Sequence, residues 1–207
     1  MSKKLVCILD YGSGNVKSVF NIIEFLGYDV KISNKIEDIK NCTHLILPGV
    51  GSFGASMKKI INTLPIDVLE NEVLRKKKPF LGICVGMQVL AEKGLEFGEH
   101  KGLGWIPGNV IKIKTNELPS IHIGWNDIII KKDIHLLKGV NNDIGDFYFV
   151  HSYVFDVVDS KYIIAETEYE NTFTSIISKD NILGIQFHPE KSQKAGQLIF
   201  KNFIENL

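Results

Sequence analysis

The tightest constraint on this chain is an alternation that runs through its first half. A short apolar run is followed by a turn, often glycine-bearing, and then by apolar residues at helical spacing. Residues 5–9 end at Asp10 and the turn Tyr11-Gly12-Ser13-Gly14-Asn15. Val16, Val19, Phe20, Ile23 and Leu26 follow and stop at Gly27. Residues 29–32, 45–47 and 80–83 read as further strands, residues 53–75 as mostly helical, and residues 85–93 as the helix after the fourth strand. Strands that alternate with helices predict a mainly parallel sheet covered on both faces. After Lys101 the texture changes. Residues 110–114, 121–125, 127–130, 147–153, 162–166, 173–177 and 183–187 are strand-like with short turns between them, and only residues 192–204 are clearly helical. The expected fold is therefore mixed α/β. A mainly parallel central sheet is flanked by helices, and antiparallel strands are added in the C-terminal half. No repeat or long linker divides the chain, so one domain over residues 1–207 is expected.

Composition narrows the function. Lys+Arg and Asp+Glu are both 24, which leaves no electrostatic footprint for nucleic acid or an anionic membrane. The three cysteines, Cys7, Cys42 and Cys84, do not form the pattern of a disulfide framework. The N-terminal apolar stretch is shorter than the roughly 7–15 residues of a signal peptide, and no window approaches the roughly 20 apolar residues of a membrane span. A cytoplasmic location is expected. The six histidines are scattered without metal-ligand spacing, so neither a metal nor another cofactor is expected.

Three segments carry chemistry. In Gly82-Ile83-Cys84-Val85-Gly86 a cysteine sits between a buried-looking strand and a helix, the G-x-C-x-G form of a nucleophile elbow. Such a turn is tight and strained, so glycines are needed two positions to either side. It also brings the sulfur to a helix N-terminus, where free N–H groups favour a thiolate, and aims the Val85 N–H at an oxyanion. A small buried cysteine with glycines for packing fits this segment equally well when it is taken alone. In Gln186-Phe187-His188-Pro189-Glu190, His188 and Glu190 are two apart at the end of an apolar strand. If the chain stays extended they share a side, as a base and the carboxylate that orients it. A surface loop is the alternative, and the pairing with Cys84 argues against it. In Pro48-Gly49-Val50-Gly51, two glycines let backbone N–H groups approach a ligand, or simply form a turn. Gly12-x-Gly14 is not a dinucleotide fingerprint, because the third glycine position is Lys17.

Together these segments resemble the class I glutamine amidotransferases. Asp10-Tyr11-Gly12-x-Gly14-Asn15, Lys101-Gly102-Leu103-Gly104, His122-Ile123-Gly124-Trp125-Asn126, Phe149-Val150-His151-Ser152-Tyr153 and His188-Pro189-Glu190-Lys191-Ser192 narrow the resemblance. It is to the glutaminase subunits of imidazole glycerol phosphate synthases, in order from residue 5 to about 205. The resemblance implies hydrolysis of glutamine to glutamate and ammonia by a Cys84-His188-Glu190 triad, with Gly51 and Val85 N–H groups as the oxyanion hole. Gly49, Val50, Gln88, Glu96, His151, Ser152 and Tyr153 would hold the substrate, Glu96 taking its α-ammonium. The residues Gly49-Val50-Gly51 would be mobile. The partner implied is a (β/α)8-barrel cyclase, docked near Tyr11, Asn15, Trp125 and Lys191 in a heterodimer. It would use the ammonia to make imidazole glycerol phosphate and an aminoimidazole carboxamide ribonucleotide in histidine biosynthesis.

Two positions depart from the family pattern. Ile121 stands where proline is frequent, with Pro119 two residues earlier, and Val85 stands where leucine is common. The first leaves open a paralogue that supplies ammonia for amidination of a nucleotide or cell-surface sugar. Two readings from other classes also remain at this stage: a cysteine hydrolase or deglycase-type enzyme, and a glutaminase-like binding module without activity. The first has no use for the His188-Glu190 pair or for Trp125, and an intact triad argues against the second.

Overall fold

The computed structural model describes residues 4–140 and 145–207. Its first half follows the expected alternation: β1 (Leu5–Leu9), α1 (Val16–Phe25), β2 (Asp29–Ser33), α2 (Ile36–Asn41), β3 (His44–Gly49), α3 (Phe53–Thr63), α4 (Ile66–Glu70) and β4 (Phe80–Cys84). Then come α5 (Val85–Gln88), β5 (Lys93–Gly94), β6 (His100–Lys101), β7 (Gly108–Lys112), β8 (His122–Asn126), β9 (Ile129–Ile130), β10 (Phe147–His151) and β11 (Tyr153–Val157). The chain closes with β12 (Ile163–Tyr169), β13 (Asn171–Lys179), β14 (Ile182–Ile185) and α6 (Gln193–Asn206). The helical stretch 53–75 comes in pieces. Pro65, with no N–H to donate, separates α3 from α4, and a π-helical turn at Asn71–Arg75 follows. The sequence pattern does not announce α2, because Ile39 is its one buried residue and there is no apolar stripe to read.

Eight strands form the central sheet in the order β2-β1-β3-β4-β14-β13-β12-β9. The first five are parallel, and β13, β12 and β9 extend the sheet antiparallel. Every residue of β3 and β4 is buried, as expected for central strands covered on both faces. Ile199 and Phe203 of α6 are fully buried in the core that includes these strands, each worth roughly 1.5–3 kcal/mol of burial. A two-stranded ribbon, β8 with β10, and a four-stranded sheet, β11-β7-β5-β6, complete the structure.

Pairing positions the site. Gly49 at the end of β3 lies opposite Cys84 at the end of β4, and Ile185 at the end of β14 lies opposite Ile83. The elbow, the glycine turn and the His188 segment therefore leave the sheet at one edge, beyond the carboxyl ends of parallel strands, where ligands bind in open α/β sheets.

Two expected elements are corrected. The helix after Cys84 stops at Gln88 instead of reaching residue 93. Val89, Leu90 and Ala91 are fully buried, and loop N–H groups take their carbonyls: Leu103 on Val89, Trp105 on Leu90 and Gly104 on Ala91, at 2.8–3.0 Å. Tertiary pairing replaces the helical bonds, and a Cβ at Gly102 would lie 2.1 Å from the Ala91 oxygen. The expected strand 147–153 breaks at Ser152 into β10 and β11, which pair with β8 and β7 respectively.

Candidate active site

Cys84 carries φ +54° and ψ −113°, a conformation that costs a non-glycine residue of order 1–3 kcal/mol. Its neighbours explain how the turn closes. A Cβ on Gly82 would lie 2.4 Å from the Gly86 oxygen, and one on Gly86 would lie 1.8 Å from the Leu47 oxygen. Only glycines let β4, β3 and α5 come this close. Val85 opens α5, so its N–H is among the first-turn donors that have no partner within the helix.

Glu190 reaches His188 by a turn rather than by extension. His188 is extended, at φ −102° and ψ 94°, and residues Pro189–Lys191 form a 3-10 turn. That turn brings Glu190 Oε1 to 2.8 Å from His188 Nδ1. The His188 backbone is clamped on both sides. Its N–H donates to the Tyr148 carbonyl at 2.8 Å, and its carbonyl accepts from Ser192 Oγ at 2.6 Å. Burial disfavours an imidazolium here, but hydrogen bonds to Cys84 and Glu190 outweigh it and raise His188 to about 10. Cys84, His188 and Glu190 thus form one connected array. Asn15 Nδ2 also donates to Glu190 Oε1, at 3.3 Å, and Ser18 Oγ orients Asn15 by donating to its Oδ1 at 2.8 Å.

The array opens on a cavity of about 650 Å³. Of the residues expected to touch substrate, Val50, Gly51, Val85, Gln88, Glu96, His151, Ser152 and Tyr153 line it, as do Asn15, Ile121 and Lys191. Glu96 is fixed there by the Phe53 N–H, which donates to its Oε2 at 2.7 Å. Ser13 Oγ donates to the Val50 carbonyl at 2.9 Å.

Three of the expected residues stand in surroundings that their local sequence did not announce. Gly49 lies behind the cavity wall, where a Cβ would come within 3 Å of Gly86, Val85 and Tyr11. Its lack of a side chain allows the close packing of β3 on α5 and Tyr11. Tyr11, expected at a partner surface, is 2% exposed, and burial pushes its phenol up to about 12. His151 offers the cavity no ring nitrogen. Its Nδ1 donates to the Tyr153 carbonyl at 3.1 Å and its Nε2 meets His122 Nδ1 at 3.1 Å. Burial holds both rings neutral, His151 at about 3 and His122 at about 4. Trp125 lies outside the cavity and is half exposed, consistent with a surface role.

Sequence reading missed Gln186. It is fully buried, and its Nε2 lies 3.7 Å from Cys84 Sγ. A partial signal was available: Gln186 falls in the expected strand 183–187, two residues before His188, although β14 ends at Ile185 and the chain bends at residues 186 and 187.

A family model described as class-I glutamine amidotransferase matches residues 7–207. Imidazole glycerol phosphate synthase subunit HisH of Caldanaerobacter subterraneus subsp. tengcongensis is 45% identical over 203 residues, covering 97% of this chain and 98% of that protein. The subunit of the same name from Methanocaldococcus jannaschii is 45% identical over 205 residues, 98% of this chain and 100% of that one. Among solved structures, a glutamine amidotransferase superposes with a TM-score of 0.72 at 20% identity over 97% of each chain. PurLQS from Thermotoga maritima superposes with 0.73 at 17% identity, again over 97% of each chain. These two likenesses speak to the fold.

Proposed function

The chain belongs to the class-I glutamine amidotransferases, and from that premise we propose that it is the glutaminase subunit of an imidazole glycerol phosphate synthase. Its 45% identity to HisH subunits over almost their whole length supports this reading. The observation that carries the chemistry is one cavity lined by Cys84, by His188 with Glu190 hydrogen-bonded behind it, and by the anchored carboxylate of Glu96.

The Cys84 sulfur attacks the side-chain carbonyl carbon of glutamine. The carbonyl oxygen takes the negative charge, facing the N–H groups of Val85 and Gly51. His188, protonated and aligned by Glu190, gives its proton to the leaving nitrogen, which departs as ammonia and leaves a glutamyl thioester. The ring, now neutral, takes a proton from water, which hydrolyses the thioester to glutamate and restores the thiolate–imidazolium pair. Glu96 pairs with the substrate α-ammonium. Gln88 uses its amide N–H groups within the protein, on the Tyr153 carbonyl at 2.9 Å and on Gln186 Oε1 at 3.1 Å, so its own oxygen is what remains for substrate.

Ammonia released into water at neutral pH is protonated and loses its nucleophilicity, so synthesis needs a covered path to the acceptor. A (β/α)8-barrel cyclase docked over the cavity would supply it. Ile121 lies on the cavity wall, and Ile123 and Trp125 continue from it at alternate positions toward and along β8, all three exposed. A strip of large apolar side chains beside the cavity fits a partner surface. Among the described residues, no helix is long and apolar enough to cross a membrane.

The direct test of the site is labelling with a glutamine-mimicking electrophile. Modification at Cys84 alone, protected by glutamine, is expected. Modification of Cys7 or Cys42 instead would overturn the assignment.

A further inference from the structure

The sulfur has a second polar neighbour besides His188, and its orientation can be worked out from donors and acceptors alone. The Tyr153 carbonyl can only accept, and it accepts from Gln88 Nε2 at 2.9 Å and from His151 Nδ1 at 3.1 Å. Gln88 must therefore turn its NH2 group inward. The second hydrogen of that group meets Gln186 at 3.1 Å, so Gln186 presents its oxygen there. Its own NH2 is left facing Cys84 Sγ at 3.7 Å. The alternative flip would set two NH2 groups against each other in a fully buried site.

We infer that Gln186 is a catalytic residue that donates a hydrogen bond to the Cys84 thiolate, held in its donating orientation by Gln88 and the Tyr153 carbonyl. The inference rests on the reading of Cys84 as the nucleophile and adds a group that contacts the reacting atom. His188 gives its proton to the leaving nitrogen and regains one from water, so its hydrogen bond to the sulfur is interrupted during each turnover. Gln186 cannot lose its proton and favours the thiolate at every stage. Neutral amides suit this position because a second cation would compete with His188 for the sulfur.

Alkylation of Cys84 by iodoacetamide, read by mass spectrometry from pH 6 to 10, tests this without requiring turnover. Gln186→Met keeps the volume and removes the donor. Its Cys84 should react roughly tenfold more slowly at pH 7, the size of a lost hydrogen bond to a charged group. The two rates should converge toward pH 10, where a thiol ionises unaided. Gln186→Glu should lose at least as much, and Gln88→Met, which frees Gln186 to flip, should lose less. In glutamine hydrolysis kcat should fall while KM holds. If Gln186→Met does not fold, the other two variants decide. Wild-type rates in the variants would overturn the inference and leave the nucleophile assignment intact. Absence of Cys84 alkylation in the wild-type chain would overturn both.

Discussion

His188 touches two groups that favour its charged form, the Cys84 sulfur and the Glu190 carboxylate at 2.8 Å. Their combined effect exceeds the burial penalty and puts the ring at about 10. Because the folded value lies above the ordinary one near 6.5, the stability this group contributes is fully present below about pH 6.5. It is lost as pH rises through about 10. In histidine-labelled protein, the 15N signals of His188 should report both ring nitrogens protonated at pH 8. Cys84→Ala removes one of the two raising contacts and should bring the midpoint down. A wild-type midpoint near 6.5 would show that the triad is not coupled. The proposed triad could be picked out because its residue types are chemically specific and stand at strand ends. The resemblance named Gln88, but its contact with Gln186 was not legible. Gln88, Gln186 and the Tyr153 carbonyl meet only because α5, β11 and the end of β14 are brought together by the fold, and nothing in their local sequence states that contact.

At the scale of the elements, the elbow stands on two glycines that leave no room for a methyl group. Gly86→Ala would push a Cβ to 1.8 Å from the Leu47 carbonyl oxygen and should cost at least about 2 kcal/mol, with Cys84 displaced. Gly12, at φ +75° with nothing within 4 Å of its would-be Cβ, should cost only about 1–2 kcal/mol as alanine. Chemical denaturation of the two variants compares them directly, and equal losses would contradict the close-packed elbow. The strands of the first half could be read because buried parallel strands are short apolar runs bounded by turns. The helix after Cys84 could not be bounded, because Val89-Leu90-Ala91 suits a buried helix and a buried loop alike. Only the 102–105 segment, distant in sequence, decides between them. Ser152 is likewise silent within an apolar run, yet it is where the chain passes from one sheet to another and turns Tyr153 toward the site.

For the molecule as a whole, the fold divides its labour along the sheet. The parallel half carries Cys84 and His188 at one edge, and the β8–β10 ribbon lies beside that edge with Ile123 and Trp125 outward. Trp125 packs edge-on against Tyr148, at 5.9 Å between ring centroids, and Lys191 Nζ sits 5.3 Å over the same tyrosine. Trp125→Ala should therefore leave stability within about 0.5 kcal/mol, as surface changes usually do. It should weaken binding of the proposed barrel partner by about 2 kcal/mol, as for an aromatic anchor at an interface. Titration calorimetry beside thermal melts separates the two effects, and unchanged affinity would move the interface elsewhere.

The central claim is that one sulfur releases ammonia which a second chain consumes. It is tested most directly by assaying the complex of Cys84→Ala with its barrel partner on two nitrogen sources. Product formation should vanish with glutamine and persist at wild-type level with ammonium salt at high pH. Continued turnover of glutamine by that variant would contradict the account outright.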